Sequence, residues 1–459
     1  SSLKFLGQPY ASPKESKFRF IEKILLFIYL FKKKLYISTI FRLKQYNKFM
    51  KNIFSIKKVF AVTLPLLLLF LGFLINEDLS TGGSKLDFYQ TFPVVDNFAK
   101  NIFDNFDKYT RHFPLHYFLL SIPHFLFDDI FVTRIFYLIF ASITPFLIYI
   151  NLQKLYRENS YFNLIISFTI IFIPYFRASV IWPNAHLTAI IFLLISNYFF
   201  LAYQDKKKKS LIFLNIFFLA LATYSIQSYA IFFLFYLFEY YKKMKLINFF
   251  YILFMCSIFS IPGFYLILKT PLGAKLDFTE NFSYTILTNL SIVFFFILFF
   301  LFNKKTFEVL KNFVKNIKLI EIIIFSLIFF ILLINYKNFT PGVGGGFFYK
   351  ISFFLFKSEL IFFIVSFLSI FILFFIFKND KKLFFLLILI NFTSTAYYTS
   401  QKYFEPLLII VVLVMIKNFL TQNTIKSSEG VFKFYIFVFL YYILALVNNY
   451  LNLSNSLIY

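Results

Sequence analysis

The sequence predicts an all-α polytopic membrane protein of about thirteen transmembrane helices, with juxtamembrane helices in the first outer loop. Three observations carry that prediction. Hydrophobic residues make up 60% of the chain and charged residues only 15%, against roughly 25% charged in a soluble domain. The apolar residues gather in runs of membrane-crossing length. Lysine clusters punctuate those runs. A soluble chain of this length would need polar surface for roughly two or three domains, and the polar residues are too few to supply it.

The elements follow in order. The first methionine is Met50, followed by a basic stretch and a long apolar run. Residues 1–57 therefore read as a basic N-terminal segment, with residues 1–49 either upstream of a start at Met50 or a basic interfacial segment, and 58–459 as the polytopic domain with the acidic outer loop 77–129. The first span is Phe60–Ile75, and Lys57 and Lys58 hold its near end in the cytoplasm. Later clusters are Lys154 with Arg157, Lys206 to Lys209, Lys242 to Lys245, Lys304 with Lys305, Lys378 to Lys382, and Lys417. One apolar hairpin fits between successive clusters, and a last run, Tyr435–Val447, leaves the C-terminus outside. The hairpins turn outside near 177–186, 225–228, 272–283, 338–357 and 397–403.

The net charge of +25 fits lysines in cytoplasmic loops. Nucleic-acid binding would need those charges on one soluble face, and no nucleic-acid partner is expected. The 78 phenylalanines follow a codon bias toward Phe, Lys, Asn and Ile, and mark no cofactor site. The lone Cys256 excludes an intrachain disulfide and a cysteine metal cluster. The Gly-rich patch at Gly342–Gly346 lacks the Lys-Ser/Thr ending of a phosphate-binding loop and reads as a flexible outer loop.

The segment between the first span and Ile130 stands apart. It holds Glu77, Asp78, Asp87, Asp96, Asp104, Asp107, Asp128 and Asp129, eight of the chain's 21 acidic residues, and three of its four histidines, His112, His116 and His124. Inside it, His112–Phe127 is apolar with a proline near each end. Were it a span, every later lysine cluster would lie outside, so it reads as a juxtamembrane or re-entrant helix.

A first span, an acidic outer loop, His112-Phe-Pro-Leu115 opening a short helix, then Arg134 in Val132-Thr-Arg-Ile-Phe at the head of the next span resemble the GT-C superfamily of membrane glycosyltransferases. Its members include protein O-mannosyltransferases and the lipid A aminoarabinose transferases. Arg177 through His186 matches a later Arg with a small polar outer loop, and Lys402–Leu408 matches the late entry to a closing span. The match covers residues 58 to about 240 by motif and the rest by span count. It departs at the acidic pair after the first span. Glu77-Asp78 lacks the following Tyr, and Asp87-Phe-Tyr89 lacks the Glu.

The resemblance implies transfer of a sugar from a polyprenyl-phosphate donor to an acceptor on the outer face of a bacterial inner membrane. Such a reaction needs a carboxylate to take the acceptor's proton, cationic groups for the leaving phosphate and an apolar groove for the lipid. Inversion is expected for direct displacement. Asp87 is the first candidate for the base and Asp96 the second. His112, His116, Arg177, Gln227 and Lys402 are the candidates for substrate contacts. For Asp87 and Asp96 the plainer reading is a solvated loop carboxylate. His112 and His116 have the i, i+4 spacing of a metal pair, but Pro114 lies between them and no Glu accompanies them. A divalent ion held by loop acids stays open. The alternatives are a transporter or flippase for a lipid-linked sugar, a polytopic polysaccharide polymerase, and a membrane scaffold.

Overall fold

The computed structural model describes residues 56–80, 82–101, 112–157, 159–269, 282–336, 346–393 and 401–451. Residues 1–49 with Met50, the acids Asp104 and Asp107, the turn at 272–281 and most of the Gly342–Gly346 patch lie outside them. Residues 61–459 form one compact unit, and among the described residues every regular element is helical.

The chain opens with α1 (Ile56–Leu74), α2 (Gly83–Asn101) and α3 (Leu115–Phe127). Next come α4 (Ile130–Ala141), α5 (Thr144–Leu155), α6 (Ser160–Thr169), α7 (Pro174–Ile181), α8 (Ala185–Lys206), α9 (Lys209–Ser225) and α10 (Phe232–Tyr241). The second half holds α11 (Leu246–Lys269), α12 (Phe282–Leu301), α13 (Lys304–Asn316), α14 (Leu319–Ile334), α15 (Gly346–Phe356), α16 (Leu360–Asn379) and α17 (Lys381–Thr393). It closes with α18 (Gln401–Ile410), α19 (Phe419–Ile425) and α20 (Ser428–Leu451).

Seven helices, counting α4 with α5 as one, are long and apolar enough to cross a membrane, and three bent pairs raise the number to ten. The bent pairs are α6 with α7, α13 with α14, and α18 with α19. This is a multi-pass integral membrane protein. The expectation of about thirteen spans exceeds what length alone supports. The other expected spans coincide with α9 of 17 residues, α10 of 10 and α17 of 13. At 1.5 Å per residue each falls short of a ~30 Å hydrocarbon core.

The central helices are α8 and α12, while α1, α11 and α20 bury little and turn apolar side chains outward. Phe254, Phe264 and Leu268 of α11 are among those exposed, which suits lipid and not water. Because lipid gives apolar helices no reason to associate, small polar groups join the central ones. Asn215 Nδ2 donates to Ser196 O at 2.9 Å, and Ser196 Oγ donates to Asn215 O at 2.8 Å, joining α8 to α9. Ser366 Oγ donates to Leu287 O at 3.0 Å, joining α12 to α16.

The bend between α18 and α19, 79°, follows a π-helical turn over Val411–Met415. A break inside a membrane leaves carbonyls without helical partners, and each must find a donor. Asn197 Nδ2 donates to Val414 O at 2.7 Å. Val412 O accepts from Asn418 Nδ2 at 2.6 Å and Thr421 Oγ1 at 2.9 Å. Asn418 also receives Thr421 N at 2.9 Å and so caps α19.

The lysine turns gather at one end of the bundle. Lys154 and Arg157 share Asp205 at 3.0 and 3.1 Å. Glu239 bridges Lys243 and Lys382 at 3.0 and 2.7 Å, and Glu321 meets Lys378 at 2.6 Å. Two of the turns expected on the opposite face, 177–186 and 225–228, meet the segment after the first span, as described next.

Candidate functional site

Among the described residues, the segment 77–129 holds two packed helices, α2 and α3. Asp78 begins α2: its Oδ1 accepts from Ser80 N at 2.9 Å and its Oδ2 from Lys85 N at 2.8 Å. Ser80 Oγ accepts from Ser84 N at 2.6 Å. Pro114 precedes α3, and Asp128 ends it with a left-handed backbone at φ 47°. Asp129 then caps α4 by accepting from Phe131 N and Val132 N at 2.6 and 3.1 Å. At 13 residues, α3 is too short to span.

Aromatic packing holds the pair down. Phe88 is buried, its ring 5.4 Å from Phe92 and 6.0 Å from Trp182. Phe92 meets the His124 ring edge at 4.9 Å, joining α2 to α3. Tyr89 lies 5.8 Å from Trp182. The aromatic residues that follow Asp87 thus anchor the helix that carries it.

The six described acids of this segment divide by task. Asp78 and Asp129 are caps. Glu77 is buried in an ion pair with Arg177. Asp128 is almost wholly exposed, 3.8 Å from His124. Asp96 is 58% exposed and meets His124 Nε2 at 3.2 Å. Asp87 is half-buried and lies within electrostatic reach of His112.

Asp87 belongs to a wider polar group. The Gln227 side chain, in the short helix after α9, hydrogen-bonds His112. The His112 ring stands edge-on to His186 at 5.4 Å. One turn deeper, His116 Nδ1 meets Thr188 Oγ1 at 2.8 Å, and Tyr137 Oη donates to Asn184 O at 2.8 Å. Burial pushes the His112 imidazole down to about 4, against a smaller upward pull from Asp87 and Gln227. Burial and the neighbouring His112 push His116 down to about 3. Both rings are therefore neutral at pH 7. Burial thus favours the uncharged, hydrogen-bonding form of both rings.

The two arginines differ in their surroundings. Arg177, expected to face a substrate, is 1% exposed and committed to the fold. Its Nε donates to Glu77 Oε1, and its Nη2 donates to Glu77 Oε2 at 3.0 Å and Leu68 O at 2.6 Å. Its guanidinium lies 5.3 Å from the Tyr442 ring. Trp182 Nε1 donates to Glu77 O at 3.0 Å. A methyl group added at Gly72 would fall on this guanidinium, so α1 needs glycine there. Arg134 is also buried, but among the described residues no carboxylate is within ion-pair distance. Its Nη1 donates to Asn76 Oδ1 at 2.8 Å and its Nε to Ile181 O at 3.4 Å. Its guanidinium stacks 3.7 Å from the Trp182 ring.

The structure therefore brings Asp87, His112, His116 and Gln227 together, with Asp96 beside His124 on the same two helices. It assigns Arg177 to a buried clasp. Lys402 lies in the first turn of α18, and its side chain is outside the described residues. Among the described residues no group of three or more His, Cys, Asp or Glu is placed to hold a metal ion. The sequence reading missed His186, Thr188 and Trp182. His186 was in view within the polar turn at 177–186, and only its contact with His112 shows its place. Comparison of the chain with protein-family models, characterised proteins and solved structures finds no match.

Proposed function

We propose that this protein is a GT-C-like membrane glycosyltransferase that moves a sugar from a polyprenyl-phosphate donor to a lipid, glycan or protein acceptor. The observation that supports it best is Asp87, a half-buried carboxylate on an anchored helix that faces neutral hydrogen-bonding side chains. Its neighbours Asp78 and Asp129 are used as caps, and Glu77 as an ion-pair partner.

In this reading Asp87 accepts the proton of the acceptor hydroxyl as that oxygen attacks the anomeric carbon. The bond from carbon to phosphate oxygen breaks, the electron pair leaves with the phosphate, and the anomeric configuration inverts. Arg134 replaces Arg177 as the cation that faces the leaving phosphate, since a guanidinium without a carboxylate keeps its charge for a ligand. Gln227, His112 and His186 hold sugar hydroxyls. The apolar outer faces of α1 and α4 take the lipid chain. The finer architecture belongs to the same reading: thirteen passes, counting α9, α10 and α17, with α2 and α3 on the outer face of a bacterial inner membrane.

The test is sugar transfer in membranes supplied with a polyprenyl-phosphate donor. Asp87→Asn is expected to lower the rate about 10²–10⁴-fold, and Asp96→Asn to change it less than about tenfold. Wild-type rates in both variants would refute the assignment. A transporter for the lipid-linked sugar is the second reading, favoured by the three bent spans. It expects donor to cross the bilayer with no glycosylated product.

A further inference from the structure

Between α12 and α14 the chain turns across the bundle. α14 stands beside the span α16, with the rings of Phe325 and Phe329 lying 4.4 and 5.4 Å from those of Phe374 and Phe367. α13 meets α14 at a bend of 101°, so it lies across that direction. The bend is at the lysine end, where Glu321 in the first turn of α14 meets Lys378. Were α13 part of the crossing, Lys311 and Lys315 would enter hydrocarbon, where a lysine is costly. On the membrane surface both stay in water.

The sequence of α13 suits that position. Lys304, Lys311 and Lys315 recur at intervals of seven and four residues, so they share one face of the helix. Lys305 and Lys318 add charge near its two ends, and all five lysines are exposed. Phe307 and Val314 lie four residues before and three after Lys311, and so border the lysine face. They are 58% and 50% exposed, and Leu319 and Ile320 at the head of α14 are exposed too. The other edge of α13 is fixed to the protein. Asn303 caps the helix by accepting from Lys305 N at 3.0 Å. Thr306 Oγ1 accepts from Asn423 Nδ2 at 3.3 Å, and the Phe313 ring lies 5.2 Å from Phe371 and 5.4 Å from Phe375. Exposed apolar side chains beside exposed lysines form the pattern of a helix in the membrane interface. The apolar edge enters the acyl chains, and the lysines reach up to the headgroups.

We propose that α13 is an interfacial helix that docks on anionic phospholipid headgroups at the lysine end, independent of the function proposed above. Charge complementarity names the lipid. Residues 304–318 carry five lysines and one acid, Glu308, and each lysine near an anionic leaflet adds to the attraction. A zwitterionic headgroup supplies no such preference.

The test uses the full chain with Cys256→Ala and Val314→Cys, carrying a fluorophore at position 314, in nanodiscs of phosphatidylglycerol and phosphatidylcholine. Each lipid in turn carries a quencher on its acyl chain near the headgroup. Both are expected to quench, and phosphatidylglycerol more strongly. Lys311→Gln/Lys315→Gln is expected to lower that preference about fivefold for each lysine removed. A control on the same end, Lys208→Gln/Lys209→Gln, removes equal charge from exposed residues outside α13 and is expected to keep the preference. Far-UV circular dichroism checks that the helices persist in both. Equal quenching by the two lipids before any lysine is removed would overturn the proposal. Equal loss in the control would overturn it in favour of diffuse surface charge. Quenching by neither lipid would place position 314 in water, overturn the proposal and point to a soluble acidic partner for the lysine face.

Discussion

At the end formed by α2, α3 and the heads of α4, α7 and α8, Glu77 and Asp78 are buried and partnered, while Asp96 and Asp128 are exposed beside His124. Glu77 is locked to Arg177, Asp78 and Asp129 hold helix starts, and Asp87 faces His112. At the lysine end the lysines sit at the surface and share acidic partners, of which only Glu239 is buried among those named. Asp205 serves two cations, and Lys417 and Lys426 are exposed. The difference follows from solvation. A charge withdrawn from water must be matched at once or it destabilises the fold. A charge at the surface is hydrated and can wait for a ligand. The enclosed end is thus where substitutions should damage the fold, and the lysine end where they should change binding only.

The largest contrast should come from Arg177→Met, which leaves Glu77 buried and unpaired. It should cost about 3–5 kcal/mol, read as a lower midpoint in denaturant titration in micelles. Adding Glu77→Gln should restore part of the loss. A double variant no more stable than the single one would show that the clasp is not a coupled pair.

Next is pH. His112 and His116 have folded-state values near 4 and 3 against an ordinary 6.5, so the fold favours their neutral forms. The stabilisation is present above about pH 6.5 and is lost as pH falls toward 4, by up to about 1.4 kcal/mol per pH unit for each ring. Thermal midpoints between pH 7.5 and 4.5 should fall, and His112→Gln should flatten the slope. An unchanged slope would place His112 in contact with water.

Gly72→Ala should destabilise by about 1–3 kcal/mol, because the methyl group presses on the Arg177 guanidinium. The smallest effect belongs to the lysine end. Lys154→Ala should cost no more than about 1 kcal/mol, since Arg157 keeps Asp205 partnered. A loss as large as that of Arg177→Met would erase the distinction between the ends. Their separation can itself be tested with single cysteines at Gln90 and Lys207, both exposed. Membrane-impermeant thiol reagents should label them from opposite sides, and labelling from one side would break the comparison.

The apolar runs were legible because hydrocarbon imposes a length and the lysines mark the turns. The reading of His112–Phe127 as a helix that does not cross followed from charge alone, and α3 has the length that reading requires. The span count was less legible. Period and hydropathy do not reveal how many residues of α9, α10 and α17 are helical, nor that Val411–Met415 adopts a π-helical turn before a bend. The site was half visible. The acidic loop stood out by composition, yet eight acids looked alike in a string.

What the sequence determined by itself is therefore the solvent this chain prefers and the grouping of its turns, since both depend on counts and intervals along the chain. What the tertiary structure decided is which charges are already matched. Arg134 and Arg177 read alike as arginines near span ends, and 43 positions separate them. Only packing puts Glu77 against one and the face of Trp182 against the other. A buried charge is defined by the atoms within a few ångströms of it, and those atoms come from residues a hundred positions away.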